Sequence, residues 1–97
     1  MKRDWRAARA KVDQEGRCRV CGARNGLQAA HTIGRKYDDR RTGVVDPRDI
    51  VPLCAHDHAA FDQRRLDLLP YLTLDEQARA VEHVGIERAR NRLAPLG

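Results

Sequence analysis

Cys18 and Cys21 stand in the spacing C-x-x-C, and a third cysteine, Cys54, follows 33 residues later. Two thiolates two residues apart can reach one tetrahedral ion from a single tight turn. A third thiol so far along the chain would tie that turn to a distant segment and constrain everything between them. C-x-x-C by itself also serves redox chemistry, and cysteine also occurs simply as a small buried side chain. The neighbours of Cys54 favour a metal: the stretch "DIVPLCAHDHAAFD", Asp49 to Asp62, adds His56, Asp57 and His58. Core packing does not ask for a thiol, two imidazoles and carboxylates in one strand-to-helix turn. Three thiols plus one N or O ligand make a closed structural Zn²⁺ site. The fourth ligand stays open at this point. Asp57 has the x-x spacing from Cys54, whereas His56 offers the imidazole that zinc prefers.

A staple of this kind suits the rest of the chain. At 97 residues it is a single small domain (1–97), about a third of it is charged, and it has four aromatic residues. Domains of this size bury limited apolar area and often need a disulfide or a metal. No apolar run approaches the roughly 18 residues of a membrane span, and "MKRDWRAARAKVDQEG" has no signal-peptide core. A reducing cytoplasm is therefore the expected location, where an odd set of three cysteines reads as metal ligation. Nineteen Lys+Arg against fourteen Asp+Glu give a net charge of +5, and only three of the nineteen are lysines. That balance favours a polyanionic partner, nucleic acid first, because arginine is the better phosphate fork.

The pattern predicts a helix over 2–15, with Trp5, Ala8 and Val12 on one face and Gly16 ending it. After the Cys18–Cys21 knuckle, Leu27 to Ile33 reads as a strand. A charged loop of about sixteen residues follows, long enough to be functional. "IVPLC" reads as a second strand, edge-placed by Pro52, and a helix is expected from Ala55 to about Leu66. In the tail, 67–97, Thr73 and Glu76 form a capping box and Gly85 divides two short helices. Leu74, Ala78, Val81 and Val84 are expected to be the packed face of that tail, which reads as scaffold.

Taken in order, "CRVCG", "AAHTIGR" and "DIVPLCAHDHAAFD" resemble the HNH endonucleases of the ββα-metal type, especially small phage-associated and actinobacterial members with zinc knuckles. The resemblance implies an α+β fold: a small ββα-metal (His-Me finger) core over 17–66 with a structural zinc site, flanked by N- and C-terminal helices. It implies a metal-dependent DNA endonuclease. His31 would be the general base that activates water, and Asp49, at a position usually held by Asn, would fix the loop and orient that base. His58 would bind the catalytic divalent ion, Mg²⁺, Mn²⁺ or similar. Asp62, one helical turn on, would be its second ligand. Two further positions depart from the family pattern: Ala30 stands where a metal ligand is common, and Asp57 where a zinc-binding Cys or His is usual.

The loop and helix-end residues Arg35, Lys36, Arg40, Arg41, Arg64 and Arg65 are candidates for phosphate contacts, which position DNA without reading sequence. Arg3, Arg6 and Arg9 could form a second footing. Without an aromatic ladder for unpaired bases, duplex DNA is the expected substrate. Likeness to phage members implies the host cytoplasm and cooperation with a DNA-packaging terminase. Two alternatives remain open on sequence: a non-catalytic zinc-binding DNA-binding module, and a zinc-stapled interaction protein.

Overall fold

A computed structural model of the chain describes residues 2–97. Its centre is a two-stranded antiparallel sheet of β1 (Leu27–His31) and β2 (Ile50–Cys54), in the register Leu27↔Cys54 to His31↔Ile50. Helix α2 (Ala55–Asp62) follows β2 with no intervening loop. Cys54 serves as its N-cap, its sulfur accepting the Asp57 amide at 3.4 Å. The side-chain period of two in β2 separates two layers. Val51 and Leu53 pack with Ala30 and Phe61, and with Leu68, Ala80, Ala89 and Leu93 of the tail. Ile50 packs with Ala8, Val12 and Val45 on the other side.

Helix α1 (Arg6–Glu15) supplies that second layer. Ala8 and Val12, one turn apart, are fully buried. Gly16 ends the helix in the left-handed region (φ 69°), where its amide returns to Val12, a conformation with little cost for glycine. The helix starts four residues later than the sequence pattern suggests. Asp4 spends its backbone on the long loop instead, donating to Gly43 and accepting from Val45.

The tail folds into α3 (Leu74–Val84) and α4 (Ile86–Leu93), parted by Gly85 at φ 85°. The Thr73–Glu76 capping box is formed in both directions. The expected packed face is corrected in part: Leu74 is 81% exposed and Val81 40%, whereas Val84 packs against the core and Ala80 is buried. Polar anchors rotate the helix. Glu76 binds Arg19 through both oxygens, at 2.8 and 2.9 Å, and Arg79 binds Asp49 at 2.7 Å. Helix α2 also ends early, at Asp62, because Arg64 takes a positive φ of 61° and turns the chain toward the tail. β1 stops at His31, and the Thr32 amide beyond it donates to the Asp49 carbonyl just before β2 begins.

Candidate metal centres and nucleic-acid cleft

Two groups of chemically active side chains lie around α2. At its N-terminal end Cys18, Cys21, Cys54 and Asp57 converge, with one ligand atom from each within 4.8 Å of all the others. The Cys21 and Cys54 sulfurs are 3.7 Å apart, and Asp57 Oδ2 lies 3.3 Å from both Cys18 and Cys54 Sγ. A tetrahedron built on Zn–S bonds of about 2.3 Å has S–S edges of about 3.8 Å, and S–O edges of about 3.5 Å. The donor set therefore fits a tetrahedral ion in both chemistry and spacing, consistent with zinc. His56 is exposed and outside the cluster.

The electrostatics of the cluster also favour a cation. The Ala23 amide lowers the Cys21 thiol, but Asp57, burial and the other two thiols outweigh it and push Cys21 up to about 12. Burial raises Asp57 while hydrogen bonds from Cys18, Cys54 and Cys21 pull it below the ordinary carboxylate range. A bound divalent ion converts such thiols to thiolates.

The second group lines an open cleft of about 880 Å³, bounded by β1, the loop after it, α2 and α4. His31, His58 and Asp62 all face it. His58 accepts no hydrogen bond at Nδ1: that atom sits 2.7 Å from Gln28 Oε1, an oxygen that can only accept, so Nδ1 carries the proton. In the neutral ring Nε2 then holds the lone pair, and it lies 3.3 Å from Asp62 Oδ2. Two acceptors at that distance need a proton or a cation between them. Adjacent ligands of an octahedral ion with bonds near 2.1 Å are about 3 Å apart. Gln28 thus fixes the His58 ring with its Nε2 toward Asp62.

His31 is nearly buried, with 5% of its side chain exposed. Its Nε2 lies 3.0 and 3.1 Å from the two oxygens of Asp38, and the Trp5 ring meets it edge-on at 5.4 Å. Burial lowers the His31 pKa, the Asp38 charge and hydrogen bond oppose this, and Arg35 and Arg92 add to the lowering. The net displacement is downward, so the imidazole is neutral near pH 7.

Asp49 sits where its backbone can fix the loop, while its side chain turns away from the His31 ring. Its carboxylate is buried and paired with Arg79 through both oxygens, at 2.7 and 3.2 Å. Its backbone carbonyl accepts from the Thr32 amide and hydroxyl. It fixes the loop; the group that touches the His31 ring is Asp38. Ala30 is fully buried under the helices, so it contributes packing only.

The basic candidates divide. Arg35, Lys36 and Arg64 line the cleft, while Arg40, Arg41 and Arg65 are exposed away from it. Arg3, Arg6 and Arg9 are paired with Asp38, Asp4 and Asp13, which leaves little free charge for a second footing. The tail adds residues that no motif marked. Arg88 and Arg92 line the cleft, and Arg92 donates to the His31 and Thr32 carbonyls and stacks on Phe61 at 4.6 Å. Burial lowers the Arg92 pKa against the attraction of Asp62.

A family model described as HNH endonuclease matches residues 18–67, over half of the chain, and the chain belongs to that family. No curated protein and no solved structure matches it. Proteins of this family act on DNA, and no helix among the described residues is long and apolar enough to cross a membrane.

Proposed function

We propose that the cleft hydrolyses phosphodiester bonds of duplex DNA, and that the domain as a whole, 1–97, serves that reaction. The observation carrying this reading is the placement of a nearly buried His31 on the same cleft as the His58–Asp62 pair. Arg35, Lys36, Arg64 and Arg88 on its walls supply charge for a phosphate backbone.

In the proposed reaction His31 removes a proton from a water aligned with the scissile phosphorus. The oxygen of that water forms the new bond to phosphorus, the bond to the 3′ oxygen breaks, and the departing oxygen takes a proton from solvent. His58 and Asp62 would hold a divalent ion such as Mg²⁺ or Mn²⁺, which supplies stabilisation of the charge building on the phosphate. Gln28 keeps the His58 Nε2 lone pair available. Cys18, Cys21, Cys54 and Asp57 would hold the structural Zn²⁺, and Asp49 would hold the loop against the tail through Arg79.

Plasmid incubation with Mg²⁺ or Mn²⁺ tests the reading with zinc-loaded wild type and His31→Ala. Nicking by wild type and its loss in His31→Ala are expected. DNA binding without cleavage by wild type across metals would identify a non-catalytic DNA-binding module instead.

A further inference from the structure

We infer that Asp38, in the loop after β1, is the positioning residue of His31: it holds the imidazole in the tautomer that leaves Nδ1 free to take the proton of water. This inference rests on the nuclease reading for its role in catalysis, and on the contact itself for its geometry. Both Asp38 oxygens lie at hydrogen-bond distance from Nε2, at 3.0 and 3.1 Å. An ionised carboxylate accepts only, so the proton of the neutral ring resides on Nε2. The pair is sheltered, with side-chain exposures of 5% and 8%. Sheltering from water makes the contact a directing one, since a solvated carboxylate would exchange it freely.

Asp38 is itself held. Arg3 Nε donates to its Oδ2 at 3.0 Å, and the segment that carries Arg3 is fixed by the Asp4 pairing with Gly43 and Val45. Trp5 closes against the ring, and Arg92 anchors the backbone carbonyl of His31 at 2.7 Å. The ring is thereby constrained from both sides of the loop. Asp49, the motif residue expected to orient it, is turned toward Arg79.

The charged groups around His31 are Asp38 with Arg3 behind it, Arg35 and Arg92, and His58 with Asp62 across the cleft. Among them Asp38 is the anion in contact with the ring. It favours the imidazolium that forms once water has surrendered its proton. Removing its charge therefore lowers the protonation midpoint of His31 further, and moves the acid limb of any cleavage profile to lower pH.

The test compares zinc-loaded wild type, Asp38→Asn and Asp38→Ala, with ring-nitrogen NMR of the histidines followed across pH. In wild type His31 is expected as a single Nε2–H tautomer. Asp38→Asn keeps that tautomer, because the amide oxygen still accepts, but its midpoint falls. Asp38→Ala loses both the midpoint and the tautomer preference. An unchanged midpoint in both variants, or a mixed tautomer in wild type, overturns the inference whether or not DNA is cut. In cleavage, Asp38→Ala lowers kcat roughly tenfold or more with KM little changed, and the acid limb shifts down in both variants. A loss of kcat without any movement of the limb would reduce Asp38 to a packing role. Failure of wild type to cleave under any metal would reject the nuclease reading and leave the ring-nitrogen result to decide the contact.

Discussion

The two ends of α2 carry similar raw material, soft and hard ligands a few ångströms apart, yet they are built on opposite principles. At the N-terminal end four donors close on one another and leave no position for anything else. At the C-terminal side His58 and Asp62 offer two donors toward an open cleft, and their supports come from Gln28 and from Arg92 in the tail. A closed donor set makes an ion part of the fold, and an open one leaves coordination positions for water and phosphate. One cation should thus be needed for stability and a second for turnover, with little overlap.

The largest expected effect belongs to the closed end. Stripping the metal with a chelator, or Cys54→Ser, should unfold the domain, because structural zinc sites in small domains contribute about 10 kcal/mol or more. Circular dichroism with and without chelator reads this directly. A chain that keeps its melting transition after complete zinc removal would break the contrast between the two ends. At the open end His58→Ala should keep its zinc and its melting temperature while cleavage drops by roughly a hundredfold to ten-thousandfold. If His58→Ala instead loses zinc, the two sites are one.

A smaller effect separates the loop's lock from its chemistry. Arg79→Ala leaves the buried Asp49 carboxylate without its partner, and should cost about 3 kcal/mol in urea unfolding. Any loss of cleavage should be recovered under conditions that restore folding. Acid stability provides the next comparison. Burial raises Glu76, but its bonds with Arg19, the Thr73 amide and Lys11 bring it down to about 2. The Arg48 hydrogen bond lowers Asp46 to about 2 against its partial burial. Both carboxyls are lower folded than unfolded, so their contribution is complete above about pH 4.5 and disappears as pH falls toward 2. Urea midpoints measured from pH 6 to pH 2 should fall over that window, and Glu76→Gln should flatten the fall.

The smallest effect concerns the cleft walls. Lys36→Ala or Arg64→Ala should reduce the salt dependence of DNA affinity by about one unit of slope each, while Arg40→Ala, outside the cleft, should change it less. Equal slopes for all three would place the DNA path elsewhere.

What could be read from the chain alone follows the same division. The zinc-type cluster announces itself because its spacing is local: Cys18 with Cys21, and Cys54 with Asp57, each span one turn. The two strands, the helix after the second, and the capping box at Thr73 are local patterns too. The Asp38–His31 contact is not, since a charged loop contains several carboxylates and only the folded path selects one. Arg79, Arg88 and Arg92 were hidden for a related reason. Arg79 lies on a helix whose rotation is set by long-range ion pairs, and Arg88 and Arg92 lie on a short helix that no motif connects to the cleft. Gln28 was silent because an exposed strand glutamine has no signature until a histidine is placed above it.

The central claim, that one imidazole acts as base and another, with its carboxylate, as the seat of a divalent ion, can be tested by a single titration. Cleavage of a labelled duplex would be followed against Mn²⁺ concentration for zinc-loaded wild type, His31→Ala and Asp62→Ala. The account predicts that Asp62→Ala recovers most of its rate at raised Mn²⁺, and that His31→Ala stays inactive at every concentration. Recovery of His31→Ala by Mn²⁺, or an Asp62→Ala curve identical to wild type, would contradict it.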